Sequence, residues 1–460
     1  MSFFKNLNKI NPKVLFLLIL LFCFLSCKDE HARSNINIKT VNRLFTSVGV
    51  EYSGVNFVNT LNETLESNYY QYLYTYIGGG VAAGDINNDG LVDLYFTSNQ
   101  SEDKLYLNKG NFKFEDITVK AGVLNKQGFN TGVTMVDVNN DGFLDIYVSR
   151  GGWLDDDGKF ENLLYINNGD TTFTEKAKEL GLNDANRTIH ATFFDYDNDN
   201  DLDVYVSNSP DITGKAKIQD LSASQKDIKN LELKGCDRLY NNDGTGHFTD
   251  VSKKAKLQYD IGFGLNPQVG DLNNDGWLDI YVCNDFDYPD LVYINNANGT
   301  FTESRDKLFK HMSYNSMGSD FADVNNDGLF DLVTLDMNPE DYIRSKTTMS
   351  MTPLDKFESM VYNGYHHQYM HNMLQLNNGN GTYSEIAKMS GIANTDWSWS
   401  ILSADFDLDG LNDYYITNGV YRDVNDRDKI NKALAILKQN NRKPTKEDFL
   451  QFTKLFSQQK

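Results

Sequence analysis

Six stretches of the chain place acidic and amide side chains at alternate positions, in the order Asp-x-[Asp/Asn]-x-Asp-[Gly/Asn]-x-x-Asp. The first three are Asp85-Asn87-Asp89-Asp93, Asp137-Asn139-Asp141-Asp145 and Asp195-Asp197-Asp199-Asp203. The others are Asp271-Asn273-Asp275-Asp279, Asp323-Asn325-Asp327-Asp331 and Asp405-Asp407-Asp409-Asp413. Oxygens at positions 1, 3, 5 and 9, with a backbone carbonyl at 7, can wrap one hard cation. Calcium takes about 6–8 such ligands at about 2.3–2.6 Å. Crowded carboxylates repel one another until a cation neutralises them, so up to six calcium ions are expected. The competing reading is a set of Asx-turns that hold no ion.

The turn at position 6 requires a positive φ. Gly90, Gly142, Gly276, Gly328 and Gly410 supply it without a Cβ clash, and Asn200 tolerates it in the third copy. An EF-hand shares the first half of this pattern but needs a Glu at position 12. That position holds Phe96, Val148, Val206, Val282, Thr334 and Ile416, so the EF-hand is excluded.

The elements that must position these loops follow from their flanks. After each loop comes a short β-branched or aromatic run, such as Asp145-Ile146-Tyr147-Val148-Ser149. Before it lies a second run, such as Thr134-Met135-Val136, so each loop reads as a hairpin turn between strands. A Leu-Tyr-x-Asn element follows at Leu105–Asn108, Leu164–Asn167, Leu239–Asn242 and Val292–Asn295, with a weaker copy at Leu374–Asn377. Each leads through a Gly/Asn turn to an aromatic strand beginning at Phe114, Phe173, Phe248, Phe301 or Tyr383. One unit is therefore four short antiparallel strands. Four strands cannot bury both faces alone, whereas a radial array does. The fold class expected is all-β: a propeller of six or seven four-stranded blades.

The sixth unit lacks the Leu-Tyr-x-Asn element. We expect residues from about 40 to 57, with Phe45-Thr46-Ser47 as the outer strand, to complete it. Two C-terminal helices are expected instead of further strands. Ile430, Ala433, Leu434 and Leu437 share a face of the first, and Phe449, Phe452 and Phe456 form a stripe on the second after a Thr445–Asp448 capping box.

Composition agrees with this reading. The 460 residues include 34 Gly and 7 Pro, 13% aromatics, and a formal charge of −21 that would repel nucleic acid. Residues 1–27 read as a leader: Lys5, Lys9 and Lys13 precede the apolar stretch Val14–Leu25, which is short for a membrane span. It ends at Phe24-Leu25-Ser26-Cys27, which resembles a lipobox with Cys27 as the lipidated residue. Lys28-Asp29-Glu30 resembles the export signal of surface-exposed Bacteroidetes lipoproteins. The expected organisation is a signal peptide (1–27), a polar tether (28–42), the propeller (43–425) and a helical segment (426–460). Of the four cysteines, Cys236 and Cys283 lie in the mature chain, one possible bridge.

From about residue 45 to 425 the units resemble the FG-GAP/VCBS repeats of integrin-α-like propellers and cartilage-acidic-protein-like bacterial lipoproteins. Tyr76-Ile77-Gly78-Gly79-Gly80, Asn363-Gly364-Tyr365 and Asn394–Trp399 resemble the bacterial subgroup in particular. The resemblance implies calcium in the Asp/Asn loops, a lipid-anchored place on the outer membrane, and association with nutrient-import systems. Tyr362, Tyr365, Tyr369, Trp397 and Trp399 are the candidate ligand residues, since loop aromatics can stack on sugars; packing of the 336–372 insertion is the other reading. No Gly-x-Ser-x-Gly, P-loop or His-Glu-x-x-His motif occurs. The function expected is a non-enzymatic surface module that binds a glycan, a peptide or an outer-membrane protein. The alternatives are a polysaccharide-active enzyme or a fragment of a longer repeat protein.

Overall fold

The computed structural model describes residues 44–456, apart from 66, 70, 126–127, 153–160, 211–217, 219, 225–234, 259–261, 350–351 and 440–444. The elements discussed lie in the unit Val48–Lys460. The two-residue alternation and tight turns of each repeat become one antiparallel sheet. Blade 1 comprises Val81–Gly84, Asp93–Phe96, Lys104–Asn108 and Phe114–Asp116, hydrogen-bonded in that order. Blades 2, 3 and 4 repeat this order from Phe129–Val136, Arg187–Phe194 and Phe263–Gly270, ending at Phe173–Glu175, Phe248–Asp250 and Phe301–Glu303. Blade 5 comprises Ser319–Ala322, Asp331–Thr334, Met373–Asn377 and Tyr383–Glu385, so the weak Leu374–Asn377 copy is a full third strand.

Blade 6 is different. Asp396–Ala404 pairs with Asp413–Asn418, and the two-residue strand Met337–Asn338 joins the other side of Asp396–Ala404. The molecule is thus a six-blade β-propeller with short helices. The expected closing strand is absent from the described part of 40–57. Residues 44–49 carry no strand, and Val50–Ser53 is a helical turn ended by Gly54 in the left-handed region. Beyond that turn the chain packs along blade 1: Phe57 stacks on Phe96 at 5.0 Å and Tyr106 Oη donates to Asn56 Oδ1 at 2.8 Å. Residues 40–43 lie outside the described part.

Blades meet through apolar faces and small residues. Gly132 needs no side chain because a Cβ there would lie 2.7 Å from the Ile189 carbonyl oxygen of blade 3. The tyrosine two residues after the last loop aspartate is fully buried at Tyr95, Tyr147 and Tyr205. Burying such a side chain contributes about 1.5–3 kcal/mol. On the axis, Tyr72, Tyr74 and Tyr76 form a plug against Phe129, Ile189, Leu265, Met337 and Trp397, contributed by blades 2, 3, 4 and 6. Val420, Val424 and Phe456 from the C-terminal segment join the same cluster. A half-buried ion pair ties the two ends of this hub together, Arg422 Nη2 to Glu63 Oε2 at 2.7 Å.

The C-terminal helices are Arg427–Gln439 and Lys446–Thr453, the second with the Thr445–Asp448 capping box in place. Ala433, Phe452 and Phe456 are buried as expected. Leu434 is 48% exposed, because Ile430 and not Leu434 packs on the hub. The Phe449 side chain lies outside the described part. Cys236 and Cys283 are both buried and are not joined in a disulfide. Among the described residues no helix is long and apolar enough to cross a membrane.

Candidate metal centres

All six acidic stretches form the same loop, held by its own carboxylates. The position-1 aspartate accepts two backbone N–H bonds, from positions 5 and 6. In the first loop Asp89 N reaches Asp85 Oδ1 at 3.1 Å and Gly90 N reaches Asp85 Oδ2 at 2.7 Å. The sixth loop repeats these at 2.9 and 2.8 Å on Asp405. The position-5 aspartate accepts from the N–H at position 7, as Leu91 N does to Asp89 Oδ1 at 2.9 Å. These bonds curl each loop about its position-1 and position-5 carboxylates.

Position 6 adopts the expected left-handed conformation, with φ of 83° at Gly90 and 72° at Asn200. Position 4 does so as well, a feature the sequence reading missed. Asn88, Asn140, Asn198, Asn274 and Asn326 have φ of 57–60°, and Leu408 has 62°. The signal was present, since Asn fills this position in five of six copies and Asn enters that region readily.

The position-9 aspartate acts as a bracket. Asp145 Oδ2 accepts from Val138 N of its own loop at 3.1 Å, and Oδ1 accepts from Asn167 N of the third strand at 2.8 Å. The same pair of bonds recurs on Asp93, Asp203, Asp279 and Asp331. In blade 6 Phe406 N reaches Asp413 Oδ2 at 3.2 Å, and among the described residues no strand pairs with the outer side of Asp413–Asn418 to supply the other N–H. The third-strand Asn side chain adds a second tie. Asn167 Nδ2 donates to Leu144 O in its own blade at 3.0 Å and to Ile86 O of the preceding blade at 2.8 Å.

Burial pushes the carboxyls of Asp145, Asp203 and Asp279 up to about 7, against the N–H bonds that lower them. Neighbouring loop aspartates push Asp145 and Asp279 further in the same direction. Asp197 also lies above the ordinary carboxylate range, first through burial and then through Asp199 and Asp195. Negative charge is therefore costly in these loops until a cation offsets it.

Three carboxylates converge within 4.8 Å of one another in two loops, at Asp195, Asp197 and Asp203 and at Asp405, Asp407 and Asp413. Both loops carry Asp at position 3. The other four carry Asn, whose Nδ2 donates to the position-5 carboxylate, as Asn87 does to Asp89 Oδ2 at 3.0 Å. All donors are oxygens with some amide, the set suited to calcium rather than to a thiolate- or imidazole-seeking metal.

The five candidate ligand aromatics do not form one site. Tyr362 is 90% exposed at the end of the helix Leu354–Tyr362, while Tyr365 is buried in the core beside Tyr288. Tyr369 packs edge-on to His311. Trp397 and Trp399 stack on each other at 6.4 Å beside the hub. The insertion itself is tied down by Arg344, which bonds Asp396 and Asp423 at 2.9 and 2.8 Å. Cys27 lies outside the described residues.

Comparison with known proteins agrees with the repeat. The model of the FG-GAP-like repeat matches residues 85–148, 153–206, 224–282 and 271–334. Cartilage acidic protein 1 of Xenopus tropicalis is 33% identical over 139 residues, covering 30% of this chain and 20% of that protein. The Homo sapiens protein is 29% identical over 136 residues, covering 29% and 20%. The match thus spans about a fifth of the length of these relatives. Among solved structures, a Trypanosoma rangeli sialidase in complex with sialic acid aligns with a TM-score of 0.36 at 15% identity, covering 78% of this chain and 56% of that one. The Vibrio cholerae biofilm matrix protein Bap1 aligns at 0.31 and 11%, covering 67% and 38%. Scores this low carry no argument about chemistry. The six loops, the four-stranded units around them and the family match lead to one conclusion: the chain belongs to the FG-GAP-like repeat proteins.

Proposed function

We propose that the chain is a calcium-stabilised interaction module of the cell surface, anchored through lipid on Cys27 and binding a glycan, a peptide or an outer-membrane protein rather than transforming it. The carrying observation is the convergence of loop carboxylates, which in the third and sixth loops come within 4.8 Å of one another. Asp195, Asp197, Asp199 and Asp203 would hold an ion in the third loop, and the matching positions would do so in the others. The ion would supply charge neutralisation and cross-link the loop; no reaction step is assigned to it. The repeat type supports a binding role.

Chelation tests the metal. Binding to the folded state alone adds about 2.7 kcal/mol per site at a hundredfold excess of ion over Kd. The melting midpoint should therefore fall sharply when calcium is removed at low magnesium, and an unchanged midpoint would overturn the assignment. The anchor is tested separately: Cys27→Ser should move the protein from the membrane fraction to the soluble one.

A further inference from the structure

Two repeat positions break their pattern where blades 4 and 5 meet. Six residues past the last loop aspartate, blade 4 has Asp285 where the other blades have Asn99, Gly151, Ser209, Met337 and Gly419. Five residues past it, blade 5 has Asp336 where blades 1, 3, 4 and 6 have Ser98, Asn208, Asn284 and Asn418. Asp290, just before the third strand of blade 4 (Leu291–Asn295), is a third acid at this seam. None of the three is more than 3% exposed.

Each carboxyl holds a different piece of the structure. Asp285 accepts from Phe286 N at 2.7 Å and from Tyr74 Oη of the plug at 3.1 Å. Asp290 accepts from Asn284 N at 2.8 Å, from Tyr281 Oη, and from Ser316 Oγ at 2.6 Å. Asp336 accepts from Met337 N and Ser313 Oγ, both at 2.6 Å, and from Tyr314 N and Asn315 N at 3.1 and 3.2 Å. Residues 313–316 lie in the link from blade 4 to blade 5, so that link is strapped to an acid of each blade.

Every partner is an N–H or O–H donor, and among the described residues no Lys, Arg or His pairs with any of the three carboxyls. The titratable groups facing them are Tyr74, Tyr281, Cys283 and Asp287, and Asp287 has its own cation in Lys356 at 2.6 Å. Tyr72 and Tyr69 stand behind Tyr74. His371 Nδ1 is bonded to the carbonyl of Asn372, the residue whose Oδ1 accepts from Asp336 N. Burial pushes the carboxyls of Asp285 and Asp290 up to about 7, the charge of Asp336 adds to both, and burial raises Asp336 as well. A buried carboxylate with no cation beside it is costly, so the folded seam favours the neutral acid.

We propose that this seam is a proton-operated latch. Asp285, Asp290 and Asp336 hold at least one proton between them, which keeps the 313–316 link and the Tyr74 plug seated; its loss to solvent leaves charges of one sign that loosen both. The stabilisation is complete below the unfolded carboxyl value of about 3.9 and is lost as pH rises through about 7. No loop residue assigned to calcium takes part, so this inference and the metal reading stand or fall separately.

Urea unfolding of the full chain in saturating calcium, from about pH 5 to about pH 8, tests it against Asp285→Asn, whose amide cannot ionise. One proton changes the unfolding constant by at most about tenfold per pH unit. The unmodified chain should therefore lose about tenfold or more in that constant relative to the variant across this range. Hydrogen exchange, corrected for the intrinsic rate, should show protection of the Met312, Ser316 and Met317 amides falling over the same range in the unmodified chain alone. Parallel pH profiles of the two proteins, in stability or in protection, would overturn the proposal. Should the variant not fold, infrared difference spectra of the unmodified, calcium-loaded chain decide the matter. A carboxylic-acid C=O band must disappear as pH rises through neutrality, and the lack of such a band would overturn the latch.

Discussion

Blade 2 and blade 6 set the same tyrosine two residues past the last aspartate of their loops, yet Tyr147 is fully buried and Tyr415 is 49% exposed. Four residues before each loop the contrast runs the other way round the ring. Val133 and Ile401 are 6% and 4% exposed, while Val81 of blade 1 is 60% exposed. The trailing face of blade 6 and the leading face of blade 1 are thus open to solvent, and the corresponding faces between the other blades are closed. A repeat determines which way a side chain points; the neighbouring blade determines what that direction is worth.

Truncating the two tyrosines should break the symmetry of the repeat most visibly. Tyr147→Ala should cost about 4 kcal/mol, the range for emptying a packed aromatic site, and Tyr415→Ala less than about 1 kcal/mol. Urea unfolding in saturating calcium measures both, and equal losses would mean that the seam between blades 6 and 1 is closed in solution.

A smaller effect is expected at the third-strand asparagines. Asn295 Nδ2 donates to Tyr196 O of the preceding blade at 2.8 Å and to Leu278 O of its own at 3.2 Å. Among the described residues Asn108 Nδ2 donates to Val92 O alone, at 2.8 Å. Asn295→Ala leaves buried carbonyls without a donor and should cost about 2 kcal/mol, against about 0.5 kcal/mol for Asn108→Ala at the solvated face. Differential scanning calorimetry of the pair would sharpen the comparison.

The smallest effect is a titration at a closed seam. His190 lies on blade 3 against Gly132 of blade 2, and burial pushes its imidazole down to about 4. The folded state therefore favours the neutral ring. Its contribution is present above the unfolded value near 6.5 and is lost as pH falls from there towards 4. His190 as a whole keeps some exposure, which reduces the effect, so we expect a loss of about 1–2 kcal/mol across that window. His190→Gln should flatten the melting temperature against pH in this range while leaving the open seam unaffected.

Much of this was legible in residue types and spacing. The loop at each repeat, the strands on either side and the positive φ at position 6 all follow from local rules, because an Asx-rich turn and a β-branched run need only their immediate neighbours. Even Leu374–Asn377, a poor match, became a strand because the register of Asp331–Thr334 demanded a partner there. Position 4 was readable too, through the five asparagines that occupy it.

Other features depended on contacts between residues far apart in the chain. Nothing in the type of Trp397 separates it from Tyr362, but one closes the hub and the other stands in solvent. The expectation that Phe45–Ser47 forms a closing strand rested on a local aromatic pattern, whereas a strand is defined by a partner at hydrogen-bonding distance. Leu434 fits the apolar stripe of its helix as well as Ile430 does, and only the angle at which that helix meets the hub decides between them. Sequence alone determined the repeat, its loops and the oxygen donors within them, since those are set by dihedral preference and side-chain chemistry over a few residues. The tertiary structure decided which copies are complete and which seams are closed, since burial belongs to the assembly of blades and not to any one of them.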